Sequence, residues 1–484
     1  MLALFLAGYI AMTLIWEDFA AYDDSQFTAY TLREIYLPIK VWPEGGRFAP
    51  LGLQEFNLIG HFTKTIVGYH VLPIVEVLVF VSVLMILDDQ LSVAGRAVLA
   101  GLALITPSAV VSFTGLTYPE RNVLLLLACL ALFVKRFEQT RSAGWAVAAV
   151  VCSQVMLYLK EPVFLLLLSF AAARLILRRR NAANSGCNRL DLCIGALSLV
   201  FVPFYAIMMF PYTSAQYLAP NRVSLTGAAG FYVEADLLVW IFAAAVAVRM
   251  YRIFRGKATP LLLWDGLACV GLVYFGTYLA LRLVSPYYLA PVDLIAVLYL
   301  GHLLFVSWGA MRLRVRTAAA MLVAIVVCQN LALSTFQVLE RKFFIHQKAA
   351  IASMILERYQ RAPGSVQKLY FPFTGPYVLF EFPSYLSYRG VPLEEAGAGS
   401  LGDARVRIFG AKIARDGRCV PWQSFVCHAG AAGPGSLAIV LPDDPVSPAE
   451  WKTYREKLSE DDPRTQPPRW LIRSLVRMWN WGWK

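Results

Sequence analysis

Eleven long apolar runs constrain the fold of this chain more than any other feature of its sequence. Each is close to the roughly 17–25 residues that a membrane-spanning helix needs. Several are at the short end of that range, so tilted or broken helices are expected among them. The runs lie at about residues 1–16, 71–87, 96–113, 117–134, 144–159, 162–177, 190–210, 233–250, 261–284, 287–308 and 317–335.

The composition favours the same class of protein. Hydrophobic residues make up 58% of the chain and charged residues only 16%. Ordinary globular domains have about 45–50% apolar residues, glycine included, and about 25% charged residues. An aromatic-rich amphipathic stretch around residues 27–38 is suited to lying along the membrane surface. We therefore predict a polytopic α-helical membrane protein with about eleven transmembrane helices and juxtamembrane helices on its outer face.

Basic residues are distributed unequally between the two predicted sides of the membrane. With the N-terminus inside, sixteen Lys and Arg residues up to residue 336 fall on the cytoplasmic side and eight on the other. The positive-inside rule selects this orientation. The net charge of +12 is then a consequence of topology, and it requires no nucleic-acid partner. An odd number of spans places the remainder of the chain outside.

The composition changes near residue 337 to frequent charges, Gly and Pro. We therefore divide the chain into a membrane domain, residues 1–336, and a small soluble α/β domain, residues 337–484. This second domain contains an amphipathic helix around residues 338–359 and four β-like runs, KLYFPF, YVLFEF, RVRIFG and SLAIVLP. Its last residues combine Trp with Lys and Arg, which is typical of a segment at the membrane interface, although a plain packing helix fits equally well.

Cys419 and Cys427 are the only cysteines of the predicted soluble domain. An oxidising outer compartment permits a disulfide between them, and two free thiols are the alternative. Zinc binding with His428 is disfavoured, because these three ligands lack a fourth at a recognisable spacing.

Polar side chains accumulate in the segments that are predicted to lie outside. The first, residues 17–70, opens with two carboxylate pairs, Glu17-Asp18 and Asp23-Asp24. Three tight turns carry further polar residues: TYPERN with Glu120, LYLKEPVF with Lys160 and Glu161, and LRLVSPYYLAPVD with Arg282, Tyr287 and Tyr288. Ionisable residues at or inside the bilayer boundary are costly and usually functional.

Two cations beside several carboxylates indicate a site for an anionic lipid headgroup. Arg282 could bind a phosphodiester through paired donors and Lys160 as a point charge. The alternative is that both side chains snorkel at helix ends, with their stems buried and their charges in water. The acidic pair Glu17-Asp18 could likewise do no more than solvate a loop.

In their order along the chain, these motifs resemble the GT-C superfamily of integral-membrane glycosyltransferases, especially the lipid A aminoarabinose transferases and the protein O-mannosyltransferases. YDDSQF at residues 22–27 is similar to the Y-D-E-x-x-Y pattern of the first outer loop, and residues 45–62 are similar to the stretch that leads into the second helix. LYLKEPVF resembles the T-K-G-P turn, with Glu161 in place of Gly. SPYYLAPVDLIAVL resembles the Y-L-L-P-L segment of a late helix.

The resemblance implies an inverting glycosyltransferase that takes a sugar from a polyprenyl-phosphate donor. The acceptor would be a cell-envelope glycan, lipid or protein, and the enzyme would lie in a bacterial inner membrane with its site facing the periplasm or exterior. Asp23 stands in the place of the catalytic carboxylate and would act as general base. Asp24 and Glu120 would support it, and Asp23 with Glu120 could hold a divalent cation such as Mg²⁺ or Mn²⁺. The residues implied in binding the donor and its lipid phosphate are Lys160, Arg282, Tyr287 and Tyr288.

A transporter or flippase for lipid-linked saccharides is the alternative function. Transporters place ionisable residues near the bilayer midplane and often show repeats. In this sequence only Glu76 and, less deeply, Asp265 and Asp293 penetrate toward the middle of a predicted span, and no repeat is visible. The crowding of charge at the outer edge favours chemistry at the membrane surface.

The predicted orientation can be tested with single cysteines introduced at Arg179 and Tyr217 in a variant that lacks the native cysteines. We expect a membrane-impermeant maleimide to label position 217 in intact cells and position 179 only after permeabilisation, because the two loops lie on opposite sides. Labelling of both positions from the same side would contradict the topology.

Overall fold

The computed structural model describes residues 2–16, 18–19, 24, 27–28, 36–37, 39–42, 47–179, 188–217, 224–361, 369–370, 385–390, 406–410 and 437–440. The helices of the first half are α1 (Leu2–Trp16), α2 (Glu55–Phe62), α3 (Ile66–Leu87), α4 (Val93–Leu104), α5 (Pro107–Thr114), α6 (Glu120–Thr140), α7 (Ala143–Leu159) and α8 (Val163–Arg179). They are followed by α9 (Asn188–Tyr217), α10 (Leu225–Ala235), α11 (Leu237–Phe254), α12 (Leu262–Ala280), α13 (Ala290–Ser307) and α14 (Leu313–Arg361). A hairpin of β1 (Lys40–Trp42) and β2 (Arg47–Ala49) lies in the first loop.

Each of the eleven apolar runs is helical in the structure. The run at residues 96–113 forms two helices, α4 and α5, which meet at an angle of 72°. Thr106 caps α5 by accepting a hydrogen bond from the Ala109 amide, and Pro107 occupies its first position, where no amide hydrogen is needed. The Ile105 carbonyl, which lies at the break, accepts a hydrogen bond of 2.7 Å from the Ser334 hydroxyl of α14.

The predicted count of about eleven transmembrane helices is not confirmed. Among the described residues, six helices are long and apolar enough to cross a membrane, or seven if α4 and α5 form one broken span. Two of the remaining helices, α7 and α8, have 17 residues each, which is at the lower limit for a span. The 21 residues of α6 include charged side chains at both ends, Glu120 and Arg121 at one and Lys135 and Arg136 at the other.

The helices pack around one continuous hydrophobic core. Helix α8 packs along α9 and α12, α6 along α3 and α7, and α13 along α4 and α12. Gly301 of α13 faces Leu99 of α4 so closely that an added Cβ would lie 2.2 Å from a Leu99 methyl carbon. Small residues at such crossings let helix backbones approach within a membrane.

A buried ion network joins α6, α8 and α9 at the end of the bundle that is predicted to be cytoplasmic. The Nε of Arg174 lies 2.8 Å from Asp191 Oδ1, and its Nη2 lies 2.7 Å from Glu138 Oε1. Arg178 adds a contact of 3.0 Å to Asp191 Oδ2. Because the Arg174 and Asp191 side chains are fully buried, each charge depends on its partner for compensation.

The turn between α3 and α4 is fixed at the same end of the bundle. The Lys135 ammonium of α6 lies 2.6 Å from Asp89 Oδ1, and His302 Nδ1 of α13 lies 2.6 Å from Asp88 Oδ2. Burial tends to raise the pKa of the Asp88 carboxyl, but the hydrogen bond with His302 and the charges of His302 and Lys135 outweigh burial and hold that pKa below its ordinary value. Asp88 therefore stays ionised at neutral pH.

The last span continues beyond the membrane segment as one helix of 49 residues, α14, which passes without interruption through the predicted domain boundary at residues 336/337. Three of the four β-like runs form strands: β3 (Leu369–Tyr370), β4 (Val406–Gly410) and β5 (Leu437–Val440). They pair in one sheet in the order β3-β4-β5, with β3 and β4 parallel and β4 and β5 antiparallel. YVLFEF, Cys419, Cys427 and the Trp-rich end lie outside the described residues.

The Arg174 network can be tested by the substitution Asp191→Ala. Removing one partner of a buried ion pair typically costs about 3–5 kcal/mol, because the other charge stays buried without compensation. We expect a clear fall in the thermal unfolding temperature of the detergent-solubilised protein. The control is Asp89→Ala, which removes a partly exposed partner of Lys135 and should cost about 0–1 kcal/mol. Equal effects of the two substitutions would contradict the structural role of the network.

Candidate functional site

The polar turns that the sequence analysis singled out come together at the other end of the bundle. The Leu51 amide donates a hydrogen bond of 2.9 Å to the Tyr158 carbonyl, which joins the first loop to the end of α7. The rings of Tyr118 and Tyr287 lie 4.8 Å apart, which joins the α5–α6 turn to the α12–α13 turn. An ion pair between Lys160 and Glu120 connects these two pairs of segments, so the four segments form one site.

Lys160 lies at the centre of this site. It follows α7 directly, is buried, and forms an ion pair with Glu120, the first residue of α6. Its ammonium lies 5.2 Å from the ring centroid of Tyr287 and 4.9 Å from that of Tyr288. Both rings attract the cation through their π faces, and a helix N-terminus favours a carboxylate such as Glu120.

A series of tyrosine rings extends from this cation into the bundle. The ring of Tyr288 stacks on Tyr278 of α12, with centroids 5.1 Å apart and an angle of 15° between the planes. One turn earlier on α12, the Tyr274 hydroxyl lies 3.4 Å from the Tyr278 hydroxyl. Tyr287 and Tyr288, both predicted to bind the donor, thus form the outer end of an aromatic wall that begins at Lys160.

Arg121 fixes the turn between α5 and α6. Its fully buried guanidinium lies 2.5 Å from Glu55 Oε1 and 2.7 Å from Glu76 Oε2. It also donates to the Leu116 carbonyl at 2.6 Å and lies 4.7 Å from the centroid of the Phe56 ring. One side chain therefore connects the turn with α2 and α3.

Asp24 occupies the opposite face of the same turn. Its Oδ1 accepts hydrogen bonds of 3.1 Å from the amides of Leu116 and Thr117, and its Oδ2 pairs with the guanidinium of Arg341. The side chain is completely buried. Both carboxylate oxygens are thus engaged, so the geometry makes Asp24 an anchor for the YDDSQF motif.

Aromatic packing holds the last residue of this motif, Phe27, and also Phe19, which precedes the motif in the sequence. Phe27 and Phe19 are both completely buried. The Phe27 ring packs edge-on against Phe56 at 4.7 Å, and Phe56 in turn stacks on Tyr69 of α3 at 5.6 Å. Phe19 lies edge-on to the same tyrosine at 5.4 Å.

Glu161, which replaces the Gly of the resembled T-K-G-P turn, is buried and has a structural partner. Its Oε1 accepts a hydrogen bond of 3.0 Å from the Phe48 amide of β2. This contact holds the β1–β2 hairpin against the turn that carries Lys160. The departure from the pattern therefore strengthens the connection between the first loop and the site.

Not every predicted site residue is brought into this cluster. Asp23, the predicted catalytic carboxylate, lies outside the described residues. Arg282 is exposed, and its side chain forms no hydrogen bond or ion pair within the part of the chain that the structure describes. Its φ of 55° falls in the left-handed region, which is uncommon for a non-glycine residue. A backbone conformation of this kind costs about 1–3 kcal/mol.

Arg121, Glu55 and Arg341 were not among the site residues predicted from the sequence. The sequence does carry a signal for Arg121, which is adjacent to Glu120 in the TYPERN turn of an otherwise apolar region. Glu55 is the only Asp, Glu, Lys or Arg of α2, and Arg341 lies between Glu340 and Lys342 in α14, but neither local sequence indicates the partner that the residue contacts. Over the described ranges, no group of three or more His, Cys, Asp and Glu side chains is arranged to hold a metal ion. The predicted cation ligands Asp23 and Glu120 stay a prediction, because Asp23 is outside those ranges.

The arrangement is suited to binding an anion beside an acidic motif. The Lys160 ammonium has three donors, and its partly apolar surroundings strengthen its attraction for a negative group. The turn at residues 115–120 connects this cation to the motif, since Asp24 binds the amides at its start and Glu120 at its end pairs with Lys160.

No protein-family model matches this sequence, and no curated protein matches it. Two solved structures are similar to the chain: the crystal structures of ArnT from Cupriavidus metallidurans bound to undecaprenyl phosphate and in the apo state. Each has a TM-score of 0.46 and 14% sequence identity, over 84% of this chain and 92% of the other. ArnT is a lipid A aminoarabinose transferase with the GT-C fold, the superfamily that the motifs resemble. This degree of likeness assigns no role to any residue.

Proposed function

We propose that the protein is an inverting membrane glycosyltransferase that transfers a sugar from a polyprenyl-phosphate donor to a cell-envelope glycan, lipid or protein on the outer face. The observation that supports this most is the single turn, residues 115–120, that joins the YDDSQF motif to the buried cation Lys160. An acid–base group and a phosphate-binding cation are the two parts that such a displacement needs.

In the proposed reaction, Asp23 takes the proton from the acceptor hydroxyl as that oxygen attacks the anomeric carbon. A new bond forms between the carbon and the acceptor oxygen, and the bond from the carbon to the phosphate oxygen breaks. The electron pair leaves with the polyprenyl phosphate, whose added negative charge Lys160 stabilises. Because the displacement inverts the anomeric centre, the base and the cation act on opposite sides of the sugar.

The surroundings of Lys160 support its role at the phosphate. Glu120 fixes one side of the ammonium, and the rings of Tyr287 and Tyr288 limit its contact with water. A fixed and partly desolvated hydrogen-bond donor such as the Lys160 ammonium requires little reorganisation when charge develops on the leaving group. Arg282 lies in the same segment as the two tyrosines and is proposed as a second cation, placed to contact the headgroup from the exposed side.

A divalent cation between Asp23 and Glu120 would only assist Lys160 at the phosphate. Glu120 already pairs with Lys160, so a metal ion would share or displace that partner. A metal ion would add positive charge next to the phosphate, as Mg²⁺ does in other phosphate sites.

One observation favours the transporter alternative. The Ser108 hydroxyl of the broken α4–α5 segment donates a hydrogen bond to the buried Asp293 carboxylate of α13. A second buried carboxylate, Asp236, lies at the start of α11, where it accepts a hydrogen bond of 3.2 Å from the Val239 amide. Broken helices and buried ionisable residues are features of transporters. Sugar transfer by detergent-solubilised protein separates the two functions, since no second compartment exists there.

The catalytic proposal predicts that Asp23→Asn abolishes sugar transfer while folding and donor-lipid binding remain. Asn keeps the shape of the side chain but cannot accept the proton, so the loss appears in the chemical step. General bases contribute typically about 10²–10⁴-fold, and single-turnover rates measure this loss directly. If Asp23→Asn transferred sugar at the normal rate, Asp23 would not be the base.

The phosphate-binding proposal predicts that Lys160→Met weakens binding of the donor lipid. Losing one charge-assisted hydrogen bond costs about 1.5–3 kcal/mol, which corresponds to about 10–150-fold in affinity. Lys160→Arg should restore part of the affinity, because it keeps the positive charge. The matched control is Lys257→Met, which removes an exposed cation from a distant loop. Unchanged donor affinity in a folded Lys160→Met protein would show that Lys160 serves only its ion pair with Glu120.

A further inference from the structure

The residues that follow the last span contact the acidic loop on both sides of Asp23 in the sequence. On the C-terminal side, Arg341 of α14 pairs with the buried Asp24 carboxylate, although the two residues are separated by 317 positions in the chain. The contact lies beyond the apolar span, which ends at Leu339. The extension of α14 therefore reaches the same motif that the α5–α6 turn anchors.

On the N-terminal side, Asp18 contacts the short segment Tyr385–Gly390. The Tyr385 hydroxyl donates a hydrogen bond of 3.0 Å to Asp18 Oδ2, and Arg389 Nη1 lies 3.7 Å from the same oxygen. Arg389 also donates to the Ser353 hydroxyl of α14 at 3.3 Å. Burial and the charge of Asp18 raise the pKa of the Tyr385 hydroxyl, so this group remains a neutral donor.

Aromatic packing adds to this contact. The ring of Phe19 lies between Tyr69 of α3, at 5.4 Å, and Tyr388, at 5.3 Å, and both neighbours meet it edge-on. Phe19 and Tyr385 are completely buried. Edge-to-face aromatic pairs of this kind contribute beyond the area that they bury. The Tyr385–Gly390 segment is thus packed into the site.

We propose that Arg341, Tyr385, Tyr388 and Arg389, here called the tail clamp, are positioning residues that hold the loop carrying Asp23 in its reactive position. Asp18 and Phe19 are fixed on one side of Asp23 in the sequence and Asp24 on the other. A displacement of about 1 Å at a reacting group can cost about 10²-fold in rate. The catalytic half of this inference rests on the proposed function, whereas the clamping of the loop does not.

The clamp itself can be tested without an activity assay. Hydrogen–deuterium exchange of the full-length protein in detergent would compare the wild type with the double variant Tyr385→Phe/Arg389→Gln and the single variant Arg341→Met. We expect amide exchange in residues 18–28 to accelerate about tenfold or more, while exchange in α3 stays unchanged and reports an intact fold. The double variant keeps the inference testable if Arg341→Met does not fold.

The matched control is Tyr251→Phe/Arg314→Gln, since both of these side chains are exposed at a distance from the loop. This control should leave exchange in residues 18–28 as in the wild type. If the clamp variants also leave it unchanged, the clamp does not exist. That outcome is independent of whether the protein transfers sugar.

The positioning role is tested by steady-state transfer kinetics on the same proteins. We expect the clamp variants to lower kcat about 10–100-fold and to change the KM for the donor lipid by no more than about twofold. The reason is that the substitutions displace the base and leave the phosphate site intact. Arg341→Lys should recover much of kcat. A rise in exchange with an unchanged kcat would overturn the positioning role. If the wild type itself transfers no sugar from any donor, the proposed function fails, and the exchange data alone decide the clamp.

Discussion

The contacts of the buried Arg121 guanidinium are the interaction on which the end of the bundle with the candidate site depends. It takes two carboxylates, Glu55 and Glu76, from two different helices and holds the carbonyls of the α5–α6 turn on its other side. Without it, the buried Glu76 and the half-buried Glu55 would lose the cation that both pair with, and a buried charge without a partner is rarely tolerated in proteins. Because Arg121 fixes the carbonyl side of this turn, the amides of Leu116 and Thr117 are available to bind Asp24. The position of Asp24 thus depends on the contacts that Arg121 makes with the same turn.

The two ends of the bundle use charge differently. At the end near Arg174, each charge is compensated by side chains of neighbouring helices, and the network joins three of them. At the other end the central cation, Lys160, is balanced by Glu120 on one side and faces aromatic rings on the other. A π face attracts a cation without neutralising it, so the ammonium keeps its attraction for an anionic ligand. This difference is why the functional site is assigned to the end with the lysine.

The sequence predicted the parts of this structure that depend on local pattern. Apolar runs became helices because length and hydrophobicity along one segment suffice to specify a span, and polar turns converged because their order along the chain alternates sides. The same reason accounts for the proximity of Lys160 to Tyr287 and Tyr288, whereas their role in binding the donor stays a prediction. The break at Pro107 turned one predicted span into two helices, and charged ends removed α6 from the helices that qualify as spans.

Long-range contacts could not be predicted in this way. The pairs of Arg121 with Glu55 and of Arg341 with Asp24 join residues that are 66 and 317 positions apart. No periodicity connects the members of either pair, and the local sequence of each residue does not indicate its partner. The division into a membrane domain and a C-terminal soluble domain stays a prediction. A composition change marks where the chain leaves the membrane, but it carries no information on what the chain contacts afterwards.

The central claim is that the protein breaks a sugar–phosphate bond at the site around Lys160. The most direct test measures the release of polyprenyl phosphate by the purified protein. The full-length protein in detergent would be incubated with a panel of radiolabelled polyprenyl-phosphate sugars and a cell-envelope acceptor extract. The account predicts that, for at least one donor, polyprenyl phosphate and a labelled acceptor product form in equal amounts and that Asp23→Asn forms neither. The claim would be contradicted if every lipid-linked sugar stayed intact in detergent but crossed the bilayer of proteoliposomes that contain the protein. That result would identify a transporter.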